Sequence, residues 1–474
     1  MKKLIQITSI ITLLFLFAIA IDLSPFLRGP APYSPDWRWP YQIPAFSWKL
    51  LLPIIAGAAT LKIFDFFLKK KSFKLRYFFA LSILSVFSFQ LSLLFASNQG
   101  IFVLIHRMIN PMISGYFTTA TTITSVPDFL STFNSSFEHF PMYAKFHPPL
   151  DVLLYYTLNQ LAIYITPFIP LISQITPNHA DVLHVWTTLF EYEKIGAILG
   201  AFVTILLSLL GSIPVFYTAQ KLFDRTSALR ATCIFLLTPS LLLFAPLPDV
   251  IYPGLIGVSF YLFVFALKEK KTFFFIFSGL IFSIASLFTL TCIPLIGLFG
   301  IFYILQSQPV VKNFLKDGAL FILGFVLPWM ILQIIFHVEV VQLIQKMLLF
   351  HHQAQSGRNY FIWLPYNLYD FFLFLGIPTA ILVLSQLKHL AKIRTFTDIR
   401  QHSLLVSFIT FILMIDLMGT VLGEAGRIWL PYILFPIIIA AQALKNTSQK
   451  YMLGILALLM VQVIIFQLFL VTLW

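Results

Sequence analysis

Apolar positions in this chain gather into long unbroken runs, parted by short polar stretches, almost from one end to the other. Runs near the roughly 20 residues that cross a bilayer as a helix lie at about 4 to 21, 47 to 68, 77 to 96, 192 to 217, 231 to 247, 251 to 267, 272 to 289, 290 to 306, 318 to 337, 361 to 387, 403 to 422, 428 to 444 and 451 to 473. The pattern predicts an all-α, polytopic transmembrane helical bundle of about 13 spans. One stretch resists this reading. Residues 150 to 176 are apolar enough to cross, yet one more crossing would invert every later loop. Pro167 and Pro170 interrupt the stretch, which predicts a re-entrant or interfacial helix pair there, with Asp181, His184, Trp186, Glu191 and Glu193 on the outer surface. No internal repeat or low-complexity segment divides the chain, so residues 1–474 form a single integral membrane domain in this reading.

Charge gives the bundle a direction. If Lys2 and Lys3 are inside, the alternation of spans also puts inside the cluster from Lys69 to Arg76, then Lys221, Arg225, Arg230, Lys268, Lys270, Lys271, Lys312, Lys316, Lys388, Lys392, Arg394, Arg400, Lys445 and Lys450. About two thirds of all Lys and Arg then share one side, which sets the N-terminus inside and the C-terminus outside. The start, Met1-Lys2-Lys3 with an apolar core and Ala18 and Ala20, also fits a secretory signal peptide. Cleavage there would leave the sidedness of later loops unchanged. Composition agrees with the class: of 474 residues, 59% are hydrophobic and only 10% charged, at a mean hydropathy of +0.91. The net charge of +13 does not point to nucleic acid, because the basic residues sit in short loops between spans. Cys233 and Cys292 both fall in apolar runs and offer neither a disulfide framework nor metal spacing.

Outer loops carry the chemistry. They lie at about 22–46, 97–149 (97–191 with the stretch that follows), the tip at Pro248-Asp249, 338–360, and the Glu424 to Arg427 turn. The first holds Asp22, Arg28, Asp36, Trp37, Arg38, Trp39 and Tyr41 among stiffening prolines. Aromatic faces, arginine forks and carboxylates together suit a sugar phosphate; the blander reading is an interfacial aromatic belt with snorkelling arginines. The second supplies His106, Arg107, Asp128, Glu138, His139 and Tyr143, and ends on His147-Pro148-Pro149-Leu150, where paired prolines enforce an extended entry into the next helix. His139 and His147 lack zinc spacing, and His351-His352 reads as headgroup contact rather than metal. No H-E-x-x-H, G-x-S-x-G, phosphate loop or dinucleotide fingerprint occurs, so hydrolase and nucleotide-driven functions lack support. Asp249, Asp416 and the pair Glu424 and Arg427 stand out because a charge among apolar spans is expensive. The pair reads either as a local salt bridge or as an anchor for a lipid-linked phosphate.

His-Pro-Pro-Leu after a long outer loop, a span ending in Ala219-Gln-Lys221-Leu-Phe-Asp224-Arg225, then Thr238-Pro239-Ser240 and an exterior Pro248-Asp249, resembles the polytopic GT-C glycosyltransferases. The resemblance covers about residues 97–310 and is to the branch that contains protein O-mannosyltransferases and the lipid A aminoarabinose transferase. Gly423-Glu424-Ala-Gly426-Arg427-Ile-Trp429 and the Arg28-Gly-Pro-Ala-Pro-Tyr loop resemble segments of uncharacterised bacterial members. The resemblance implies a GT-C-like fold in a bacterial cytoplasmic membrane and a transferase that takes a sugar from a polyprenyl-phosphate donor. The acceptor would be a glycan, lipid or protein on the extracytoplasmic face, with no nucleic acid partner and no cofactor beyond the lipid-linked donor; metal dependence stays open. An outer-loop carboxylate would deprotonate the acceptor while arginine stabilises the leaving phosphate.

One departure matters: residues 97 to 115 hold no acid where such enzymes usually carry one. Asp36 is then the favoured base, Asp128 the alternative, and loss of activity the third possibility. Arg28, Arg38 and Arg427, with Glu424 and Asp249, are the candidates for holding the donor phosphate. Trp37, Trp39, His147, Pro148 and Pro149 are read as shaping the pocket. A transporter of lipid-linked saccharides is the competing class.

Overall fold

The computed structural model describes residues 2–30, 37–44, 47–70, 72–98, 100–169, 180–307, 310–391 and 393–472. Among them the chain is helical throughout, without a strand; Tyr41 and Leu470 form an isolated antiparallel bridge. Helices α1 (Lys2–Ala20), α2 (Leu51–Lys69) and α3 (Leu75–Ala96) lead into a long loop folded as α4 (Phe102–Ile109), α5 (Tyr116–Ala120), α6 (Val126–Ser131) and α7 (Phe133–Ser136). There follow α8 (Leu150–Ile165), α9 (Ala180–Thr188), α10 (Glu191–Leu210), α11 (Ser212–Leu222), α12 (Arg225–Leu236), α13 (Pro239–Leu243) and α14 (Tyr252–Glu269). Next come α15 (Phe274–Phe288), α16 (Leu295–Ser307), α17 (Val311–Ile335), α18 (Val340–Ala354), α19 (Tyr360–Leu375) and α20 (Ile377–Leu390). The chain closes with α21 (Phe396–Gln401), α22 (Ser403–Leu417), α23 (Ala425–Ile428), α24 (Leu434–Ala443) and α25 (Gln449–Phe469).

Nine of these helices or helix runs among the described residues are long and apolar enough to cross a membrane, ten if α19 and α20 are one broken span. The protein is therefore an integral membrane helical bundle, with fewer full-length spans than the apolar runs predict. Two causes account for the difference. The runs at 272–289, 403–422 and 428–444 yield only the shorter apolar helices Phe274–Phe288, Ser403–Leu417 and Leu430–Ala443. The run at 361–387 bends by 118° between α19 and α20, at Gly376, whose φ of +106° few side chains tolerate.

The awkward stretch after His147 becomes a hairpin. Asn159 of α8 lies on Gly196 of α10, Tyr155 lies on Gly200, and the Tyr155 hydroxyl is 3.5 Å from Thr204 Oγ1. The residue numbers run oppositely, so α8 is antiparallel to the first half of α10 and the chain returns to the level it left. Residues 170–179, including Pro170, lie outside the described residues, as does the side chain of Asp181. His184 and Glu191 are exposed as expected, but Trp186 and Glu193 are buried. The Glu193 carboxylate turns back to accept the Phe190 backbone N–H at 2.8 Å, a cap for α10.

Candidate functional site

His147 sits in extended backbone at the head of α8, with Pro148 and Pro149 buried beneath it. Helix α8 starts at once, which places Asp151 in its first turn and four residues from His147, where a carboxylate is favoured by the helix dipole. Asp151 is fully buried. Its Oδ2 lies 2.9 Å from His147 Nδ1 and accepts the Tyr252 hydroxyl at 2.9 Å. Nδ1 is also 2.9 Å from the Phe288 carbonyl. Two acceptors facing one nitrogen put the proton on Nδ1 and leave Nε2 its lone pair. Nε2 has no hydrogen bond among the described residues, and Asp151 Oδ1 has none either. Burial raises the Asp151 carboxyl to about 6. The imidazole is pulled down by burial but pushed up further by the hydrogen bond and charge of Asp151 and by Asp249, so it ends above its ordinary value.

The opposite wall is the turn that carries Glu424 and Arg427. Gly423 (φ +106°) and Glu424 (φ +56°) wind it into the left-handed region ahead of α23. Four side chains from outside the turn hold it. Asn367 donates to the Val421 carbonyl at 2.7 Å and accepts the Gly423 N–H at 2.9 Å. Asp370 accepts the Gly426 N–H at 2.7 Å, and Gln355 accepts the Leu422 N–H at 2.6 Å. Arg358 donates to the Leu422 carbonyl. So supported, the buried Arg427 donates to Glu424 Oε2 at 2.6 Å and lies 5.4 Å over the Tyr143 ring. Burial disfavours its charge, but Glu424 and Asp249 outweigh burial and hold the guanidinium firmly protonated.

The two walls meet. Tyr116 sets its ring edge against His147, centroids 5.2 Å apart. Burial raises its hydroxyl pKa, as do Asp151 and Asp249, while Arg427 opposes them. Tyr143, also raised by burial, feels Glu424, Arg427, Arg358 and Asp249. One cluster thus joins an aspartate–histidine dyad, the buried Asp249, two tyrosines and a guanidinium. His351 flanks it; burial lowers its pKa to about 4, so it is neutral near pH 7. Its ring faces the amide of Gln355, which makes His351 a support for the turn, while His352 is exposed. Among the described residues no three His, Cys, Asp or Glu side chains group as metal ligands would.

The other predicted site residues fall elsewhere. Asp36, with Tyr33, lies outside the described residues. Arg28 is occupied in closing its own loop: it forks onto Asp22 at 2.9 and 3.1 Å, donates to the Trp39 carbonyl at 2.6 Å and covers the Tyr41 ring. Arg38 donates to the Pro30 carbonyl at 3.0 Å and lies over Phe26. Trp37 stacks on Trp363, while Trp39 donates to Asp370 at 2.8 Å; both indoles therefore buttress the Gly423–Arg427 turn from behind. Asp128 is exposed on α6, in a groove separate from the residues that surround Arg427. Sequence reading missed Asp151, Tyr252, Asn367 and Asp370. For Asp151 there was a signal: an acid four residues after the histidine, at the start of a helix.

No protein-family model matches the chain, and no curated protein is significantly similar to it.

Proposed function

We propose that this protein is a membrane glycosyltransferase that moves a sugar from a polyprenyl-phosphate donor to an acceptor hydroxyl on the outer face. The observation that carries the reading is convergence. The His147-to-Asp151 element, the Pro248-Asp249 tip and the Glu424-to-Arg427 turn are far apart in sequence, yet Tyr116 stands against His147, the Pro248–Ile251 turn packs on the Leu430–Tyr432 turn that follows Arg427, and Arg427 lies over Tyr143, which gathers a proton acceptor and a fixed cation on one face. In this reaction the acceptor oxygen forms a bond to the anomeric carbon as the bond from that carbon to the phosphate oxygen breaks. The electron pair leaves with the phosphate and the proton goes to His147 Nε2. Asp151 holds the imidazole in the tautomer that takes that proton, and Arg427 meets the negative charge that grows on the phosphate. His147 and Asp151 thereby take the role that the sequence assigned to Asp36 or Asp128.

A carrier of lipid-linked saccharides is the second reading, favoured by the break between α19 and α20, since transporters build sites at interrupted helices. The polar groups near that break are already engaged. Asp370 holds Trp39 and Gly426, and Asn367 holds Val421, Gly423 and Asp416.

The test is to incubate membranes containing the wild type, Asp151→Asn or Arg427→Gln with labelled polyprenyl-phosphate sugars. Label should reach an acceptor in the wild type and fall by about 100-fold or more in either variant. Full transfer by both variants, or label that crosses the membrane without leaving its lipid, would reject the reading.

A further inference from the structure

The groove that holds Asp128 has a chemistry of its own. It encloses about 580 Å³ between α5 and α6, open to the outside, within the range of small-molecule sites. Four of its hydroxyls are turned to one purpose. Thr118 and Thr119 donate to the Gly115 carbonyl at 3.1 and 2.7 Å, Thr122 donates to the Thr119 carbonyl at 2.8 Å, and Thr132 donates to the Asp128 carbonyl at 2.7 Å. Each has committed its proton to its own turn of backbone, so what it offers the groove is lone pairs. Asp128 adds a carboxylate whose oxygens make no hydrogen bond or ion pair among the described residues. No Lys or Arg lines the groove, and Asp128 disfavours an anionic occupant. These acceptors, beside the hydroxyls of Thr124, Ser125 and Ser136, call for a ligand rich in O–H or N–H donors.

Two further features choose between those. Phe129 and Phe140 stand in the lining with ring centroids 6.2 Å apart, apolar faces of the kind that pack on the C–H surface of a pyranose. An ammonium would use the one carboxylate and leave the string of threonines idle, whereas a chain of sugar hydroxyls uses both. The position is also informative. Helix α5 is shared with the cluster: Tyr116 meets His147, while Thr118 and Thr119, two and three residues on, line the groove.

We propose that this groove is the subsite for a neutral, polyhydroxylated acceptor, with Asp128, Thr132 and Phe140 as its principal contacts. The acceptor role rests on the transferase reading; the saccharide affinity of the groove does not. Asp128, which the sequence offers as a base, here binds the acceptor.

Binding is measured directly, on the full chain in detergent, by saturation-transfer difference NMR with neutral trisaccharides and, separately, hexylamine as probes. A trisaccharide is expected to bind, and Asp128→Ala, Thr132→Val and Phe140→Leu each to weaken it by on the order of tenfold, while Arg427→Gln leaves it unchanged. Asp128 and Thr132 are exposed, so those two variants fold independently of the outcome. Preference for hexylamine, no saccharide binding, or binding untouched by the three substitutions overturns the proposal. If the trisaccharide binds as expected but membranes transfer no sugar, the transferase reading falls and the saccharide site stands.

Discussion

At the scale of single residues, the cluster depends on Asp151 directing one imidazole. As proton acceptor His147 must be neutral, so transfer is expected to rise as pH climbs through its raised pKa. Asp151→Asn removes the largest of the forces that raise it, and the rising limb of the pH–rate profile should move to lower pH as the rate falls. A limb that stays in place would assign the ionisation to another group. Arg107 makes a different kind of demand. Wholly buried, it donates to the Leu243 and Ala245 carbonyls at 2.6 Å each and to the Thr472 carbonyl and hydroxyl at 3.1 and 3.0 Å. Arg107→Gln cannot span these acceptors, and a loss of about 3 kcal/mol, read as a lowered melting temperature in detergent, is expected. Sequence told these two arginine types apart poorly. Arg28, Arg107 and Arg427 are each an arginine of a polar loop, and only their partners show that the first two hold structure while the third faces the cluster.

At the scale of elements, helix existence was legible and helix length was not. Apolar runs mark where helices form, because burial in lipid or protein asks for the same residues; they do not mark a 118° bend, which a single glycine decides. Nor do they show which helices touch. Gly279 of α15 and Gly324 of α17 face each other's chains so closely that a Cβ on either would lie 1.9 or 2.0 Å from a carbonyl oxygen of the other helix, that of Phe321 or of Ile276. Small residues let backbones approach in this way, and dispersion then replaces side-chain packing. Gly279→Ala must force the pair apart and is expected to cost about 1–3 kcal/mol, whereas Gly300→Ala, with open space around its Cβ, should be near neutral. Equal melting temperatures for the two variants would contradict this packing. The His-Pro-Pro-Leu element, conspicuous in the sequence, correctly marked a helix start; its neighbour Asp151 was hidden by the apolar residues that follow it.

At the scale of the whole molecule, the charge bias makes the simplest forecast. Cys233 and Cys292 are both buried, so a cysteine introduced at exposed Glu138 or Arg400 reports on a silent background. A membrane-impermeant maleimide is expected to label Glu138→Cys in intact cells and Arg400→Cys only after permeabilisation. Labelling of both from one side would reverse the topology argued from Lys and Arg. Assembly of the outer face also has an order. The loop between α1 and α2 is bridged to the segment after α25 at Tyr41 and Leu470, and the guanidinium of Arg107 draws on Thr472. Those partners leave the ribosome long after the loops they hold. During synthesis the early loops must therefore wait, partly unsupported, until α25 is inserted. A chain truncated before residue 470 would carry every residue of the cluster and still lack the clasp that closes the loops around it.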